Sequence, residues 1–216
     1  MNMRNVNIVA RYESKLLRRD IVFLGFVVIA LVGISLWQMI KQGRVNVFWY
    51  KVALPSSFPF FSMYYYNLVQ VLIALFVCME VVYRERKKDA MEVFLYRPFR
   101  NSEYCIGRFL GIFRMFLFVN ICVLLVCMYI NLWVVGAPFN VWIYVFYLFT
   151  LSIPTLIFVL GCALSISAMV KNRPLSVLVL GLFGLGVYFY LDEWQFGAFD
   201  FWGRNLPNMF SDVVGH

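Results

Sequence analysis

Glu85, Lys88, Asp89 and Glu92 lie within about two helical turns of one another, in a run reading Arg84-Glu85-Arg86-Lys87-Lys88-Asp89-Ala90-Met91-Glu92. At helical spacing Lys88 and Glu92 form an i,i+4 ion pair, and Glu85 and Asp89 share one face a turn apart. Met91, Phe94 and Leu95 add an apolar stripe to the same helix. Pro98 ends it, because the residue before a proline is pushed out of helical geometry, and Ser102 is placed to cap a second helix. The charged residues of this helix point to water and its apolar stripe seeks lipid or a protein partner; an ordinary connection whose charges only fix topology would read the same way. Bond-making chemistry finds little here. The one histidine is His216, at the end of the chain, and there is no H-E-x-x-H, no G-x-S-x-G and no G-x-x-x-x-G-K-S/T phosphate loop. The five cysteines show no C-x-x-C spacing, which argues against a zinc site or a disulfide framework. The expectation is a non-enzyme with no cofactor and no metal of its own.

The elements that carry this segment follow from hydropathy. The chain is 63% hydrophobic and 14% charged, whereas soluble domains are about half apolar and about a quarter charged. Its apolar residues come in continuous blocks long enough to cross lipid, where every backbone polar group must be paired internally. Barrel strands would alternate with period 2. Unbroken blocks mean helices, so the expected fold is an all-α integral membrane bundle of about five transmembrane helices. The spans are expected at 21–40, 62–83, 109–135, 141–170 and 175–191, with Pro154 kinking the fourth. Residues 1–20 carry Ile8, Val9, Tyr12, Leu16 and Leu17 at helical period among basic residues. They are expected to form an uncleaved amphipathic helix on the membrane surface. Segment 84–108 is the charged connection between the second and third spans, and 192–216 is a tail rich in aromatics and glycine.

Basic residues set the orientation. Segments 1–20, 84–108 and 171–173 hold five, seven and two of them; segments 41–61, 136–140 and 192–216 hold three, none and one. The positive-inside rule places the first group, with the N-terminus, in the cytoplasm, and the second group outside the cytoplasmic membrane. Arg114, about one turn inside the third span, can snorkel back to the cytoplasmic face. The net charge of +8 is thereby assigned to topology and to anionic lipid, not to nucleic acid.

The charged connection also resembles a family pattern. Glu85-Arg86, Asp89-Ala90-Met91-Glu92, Pro98-Phe99-Arg100 and Gly107-Arg108 stand where permease subunits of type-2 ABC transporters carry Glu-Arg, Gly-Thr-Leu-Glu, Pro-x-x-Arg and Gly-Lys. Asp89-Ala90 replaces Gly-Thr, and Arg108 replaces Lys. The resemblance implies a multi-pass subunit of a dimer, homomeric or heteromeric, in the inner (cytoplasmic) membrane, working as an exporter. It implies that 84–100 is a coupling helix docking on a separate cytoplasmic ATPase subunit that binds the ATP. Glu85, Lys88, Asp89, Met91, Glu92, Phe94, Pro98 and Arg100 are the residues at that contact. The family has six spans, so this sequence is expected to stop before the sixth. The substrate stays open among lipid, drug, peptide and polysaccharide.

Other features have plainer readings. Gly107 with Gly111, Gly161 with Ser165, and Gly181 with its neighbouring glycines permit close helix approach, within one chain or at a dimer seam. Asn67, Gln70, Asn120 and Asn131 suit hydrogen bonding between helices or the lining of a path. Glu80, the one acid inside a span, is placed to pair with Arg84. A non-catalytic membrane scaffold or assembly factor would share all of these features, and ATPase binding to 84–100 is what separates it from a permease.

Overall fold

The computed structural model describes residues 2–48, 57–85, 100–133, 139–170 and 172–186. They are helical almost throughout, with no strand among them. The helices are α1 (Met3–Leu17), α2 (Ile21–Phe48), α3 (Ser57–Glu85), α4 (Asn101–Trp133), α5 (Val141–Tyr147), α6 (Ile153–Met169) and α7 (Arg173–Gly186), with a π turn at Leu148–Ser152 joining α5 to α6.

Local chemistry explains where they begin. Asn2 caps α1 by accepting from the Arg4 N–H at 3.1 Å, and Asp20 accepts from the Val22 N–H at 2.8 Å at the start of α2. Pro59 in α3 and Pro174 in α7 occupy first-turn positions, where no intrahelical donor is lost. Asn140 caps α5 through the Trp142 N–H at 3.0 Å. Pro154 does disturb the fourth span, in the form of a π turn: the Ile153 N–H reaches back to the Leu148 carbonyl, five residues earlier. One extra residue in the turn absorbs the donor and the space that Pro154 denies its preceding turn.

Four segments are long and apolar enough to cross a membrane: Ile21–Gln38, Ser62–Tyr83, Asn101–Trp133 and Val141–Met169. These match four of the five expected spans. Helix continues beyond the expected limits, to Phe48 in α2 and from Ser57 in α3. The expected fifth span is represented by α7 up to Gly186, and its remainder lies outside the described residues, as does the 192–216 tail. Ser102 is not a cap. The helix already starts at Asn101 and runs without a break into the third span, 33 residues in all, or about 50 Å. A hydrocarbon core of about 30 Å needs only about 20 of them. The uncharged stretch Met115–Trp133 is long enough by itself, so the first turns of α4, which carry Arg108 and Arg114, are an overhang beyond the length a span requires.

The bundle is apolar inside and apolar outside. Phe23 and Phe26 of α2 pack on Phe116 of α4 at ring-centroid distances of 5.5 and 5.9 Å. Tyr66, Ala74 and Cys78 of α3 and Leu160 and Ala163 of α6 are fully enclosed. The outward faces carry Val28, Val32 and Leu36 on α2, and Phe118, Leu125 and Tyr129 on α4, all more than half exposed. Water does not favour such a surface, and lipid does.

Candidate partner-docking site and its platform

The expected docking segment begins at the end of α3 and finishes at the start of α4. Glu85 is the last residue of α3. Arg100 immediately precedes α4; it is exposed, and its carbonyl accepts the Tyr104 N–H at 3.1 Å. Lys88, Asp89, Met91, Glu92, Phe94 and Pro98 lie outside the described residues. What is described is the helix that follows that segment in the chain, paired with α1, a candidate platform for it.

The platform is the overhang of α4 with α1 laid along it, the most extensive helix pairing among the described residues. The two run side by side in one direction. Asn2 and Asn5 meet Glu103, Val6 and Val9 meet Gly107, and Ala10 and Glu13 meet Gly111. Each step is one turn on both helices. The glycines make this possible: a Cβ on Gly107 would sit 2.7 Å from the Val9 Cβ and 2.8 Å from the Val6 carbonyl oxygen. One on Gly111 would sit 2.7 Å from the Glu13 Cβ and 2.8 Å from the Ala10 carbonyl oxygen. By contrast, Gly161 and Gly181 have nothing within 4 Å of a Cβ position. Of the small-residue pairs in the sequence, Gly107 and Gly111 thus serve packing within the chain.

Polar contacts hold the pair in register. Glu103 accepts the Asn2 backbone N–H on Oε1 at 2.5 Å and the Asn5 side-chain amide on Oε2 at 3.0 Å. These bonds hold its carboxyl below the usual range, the Asn2 backbone N–H contributing most. Glu103 also lies in the first turn of α4, where the helix dipole favours an anion. The Ser14 hydroxyl lies 2.8 Å from the Ala10 carbonyl and 3.0 Å from that of Gly111. Arg114 donates from Nη1 to Asn7 Oδ1 at 3.0 Å. Arg108 is buried, with its guanidinium 5.9 Å from the centre of the Tyr104 ring.

The face that α1 buries only partly coincides with its apolar stripe, sharing Val9 and Leu17 with it. Val6, Val9, Ala10, Glu13 and Leu17 are buried, whereas Ile8 and Tyr12 remain half exposed. The glycine-lined groove takes the smaller Val6, Val9 and Ala10, and the bulkier Ile8 and Tyr12 are left on an adjoining face. Arg4, Arg11, Lys15 and Arg18 are exposed as well. Neither Glu103 nor its two asparagine partners stand out by hydropathy. The one advance signal is that Glu103, Gly107 and Gly111 are spaced four residues apart.

Deeper in the bundle, three of the four amides Asn67, Gln70, Asn120 and Asn131 take part in bonds that bridge helices. Asn120 of α4 donates from Nδ2 to Gln70 Oε1 of α3 at 2.6 Å, and Asn131 of α4 donates to the Tyr144 hydroxyl of α5 at 2.9 Å. Gln38 of α2 donates to the Cys127 carbonyl of α4 at 2.9 Å. With Phe23 on Phe116 and Gln38 on Cys127, α2 continues along α4 in the direction that α1 set. Comparison with protein families and with curated proteins finds no match to this chain.

Proposed function

We propose that this chain is the membrane-spanning permease subunit of an ATP-binding-cassette exporter, driven by a separate cytoplasmic ATPase. The observation that carries the reading is the charged segment itself: Glu85-Arg86, Asp89-Ala90-Met91-Glu92 and Pro98-Phe99-Arg100. It lies between two long apolar helices, α3 ending at Glu85 and α4 starting at Asn101. In this reading Glu85, Asp89 and Glu92 meet basic residues of the ATPase, Met91 and Phe94 fill its groove, and Lys88, Pro98 and Arg100 complete the contact. Two membrane subunits form the transport core. The ATPase closes and reopens on ATP, and the segment passes that motion to α3 and α4.

The test is co-purification from detergent-solubilised membranes, comparing the wild-type chain with the triple reversal Glu85→Lys, Asp89→Lys, Glu92→Lys. A soluble ATPase recovered with the wild type and lost from the inserted, folded variant is the expected result. An ATPase that stays bound to the variant removes the docking role from these residues. Repeated recovery of a folded wild-type chain with no ATPase would favour a non-catalytic membrane scaffold.

A further inference from the structure

Arg11, Lys15 and Arg18 succeed one another at helical intervals, so they form one stripe along α1, and all three are exposed. Arg114 joins them from α4. It is exposed too, and its Nη1 donates at 3.0 Å to Oδ1 of Asn7, one turn before Arg11. Like charges a turn apart weaken a helix. The dipole at the end of α1 offsets this for Lys15 and Arg18. It does nothing for Arg11, which stands before the last turn of α1, or for Arg114, well inside α4. The described acids of this region face elsewhere. Glu13 is buried on the opposite side of α1, against Gly111. Glu103 accepts from Asn2 and Asn5, and Asp20 accepts from the Val22 N–H.

The depth of the stripe follows from its neighbours. The uncharged stretch of α4 starts at Met115 and the apolar span of α2 at Ile21. The contact of Phe23 with Phe116 sets these two starts side by side, so the hydrocarbon edge belongs at their level. Just outside it, Ala10 and Glu13 of α1 face Gly111, about one turn before Met115. A turn of helix rises about 5.4 Å, and the headgroup layer is about 5–8 Å thick on each side of a bilayer. Arg11 and Lys15 therefore stand at the depth of the lipid phosphates, with Arg18 a turn closer to the hydrocarbon. Tyr12, half exposed beside the stripe, suits the same depth. Arg4 is exposed as well, but it lies two turns before Arg11, about 10 Å farther out.

We propose that Arg11, Lys15, Arg18 and Arg114 form a docking surface for the headgroups of anionic phospholipids. The match is one of charge and depth. Arginine donors fit phosphate oxygens, and an anionic headgroup supplies the net negative charge that a zwitterionic one lacks. The surface ties α1 to the bilayer as well as to α4, and it does not depend on the exporter reading.

The experiment is native mass spectrometry of the full chain in detergent, titrated with phosphatidylglycerol or with phosphatidylcholine of the same acyl chains. The wild-type chain is expected to bind the first phosphatidylglycerol several-fold more tightly than the first phosphatidylcholine. One cation near an anionic surface contributes about fivefold, so Arg11→Gln should lower the preference by about that factor. Arg11→Gln/Lys15→Gln/Arg18→Gln should abolish it. Arg4→Gln removes the same charge from the same helix beyond the headgroups and should leave the preference intact. Equal affinity for the two lipids in the wild type overturns the proposal and leaves this face to an acidic protein surface. So does a triple variant that keeps the preference, or a loss in Arg4→Gln as large as that in Arg11→Gln. Should the triple variant fail to fold, the two single substitutions, both of exposed side chains, carry the comparison.

Discussion

Gly107 lies against Val9 so closely that a methyl group on its Cα would stand 2.7 Å from the Val9 Cβ. No rotamer relieves this contact, because the Val6 backbone carbonyl closes the other side at 2.8 Å. Gly107→Ala is therefore expected to push α1 off the α4 overhang, at about 1–3 kcal/mol, and Gly111→Ala to do the same. Gly161→Ala and Gly181→Ala, with open space at the Cβ position, are the controls and should not destabilise. Thermal unfolding in detergent, with limited proteolysis between α1 and α2, reads both effects.

The Glu103 clamp makes this pairing sensitive to acid. Its carboxyl is held below the ordinary value by the Asn2 N–H and the Asn5 amide, so the charged form is favoured in the folded chain. The resulting stability is fully present above the ordinary Glu range, near 4.3. It is lost as pH falls through the lower folded-state value. Hydrogen exchange in α1 should accelerate across that acid window. In Glu103→Gln the acceleration should disappear, since no titrating group remains at the clamp. A pH profile unchanged by that substitution would assign the sensitivity to another group.

Asn120 and Gln70 allow a coupling measurement. Replacing either by leucine strands part of the other, and replacing both removes the bond altogether. Interhelical hydrogen bonds in membrane bundles couple by about 0.6 kcal/mol on average and up to about 1.7. A double-mutant cycle on Gln70→Leu and Asn120→Leu should return a value in that range. A coupling near zero would mean that the 2.6 Å contact contributes no stability.

Cys105 reports orientation. It is exposed on the α4 overhang, whereas Cys78 and Cys127 are buried. A membrane-impermeant maleimide should modify Cys105 in inside-out vesicles and spare it in right-side-out ones. Cys78 and Cys127 should react in neither. The reverse pattern at Cys105 would invert the topology drawn from the basic residues.

How far the residues themselves disclosed this structure depends on the range of the forces involved. The spans were readable because each is a local sum over about 20 neighbours, and α2, α3, α4 and the α5–α6 pair match it. Pro154 announced a disturbance, although not that the chain would absorb it as a π turn over Leu148–Ser152. The face of α1 was readable only in part. Its own pattern marked Ile8, Val9, Tyr12, Leu16 and Leu17, of which Val9 and Leu17 are buried, whereas the choice among them was made by Glu103, Gly107 and Gly111, about a hundred residues away. The segment holding Lys88 to Pro98 could be read for its charge and its proline, and its placement lies outside the described residues.

That separation has a consequence for how the chain is made. Asn2 and Glu103 are 101 residues apart, so α1 leaves the ribosome long before its groove exists. At about 5–20 residues per second, Val6, Val9 and Ala10 wait on the order of 5–20 s for Gly107 and Gly111. During that interval Ile8, Tyr12 and the neighbouring arginines can hold the nascent helix at the bilayer edge, within reach of α4. The half-exposed face left over in the finished fold would then be a mooring used during synthesis, until Gly107 and Gly111 emerge and α1 closes onto the overhang.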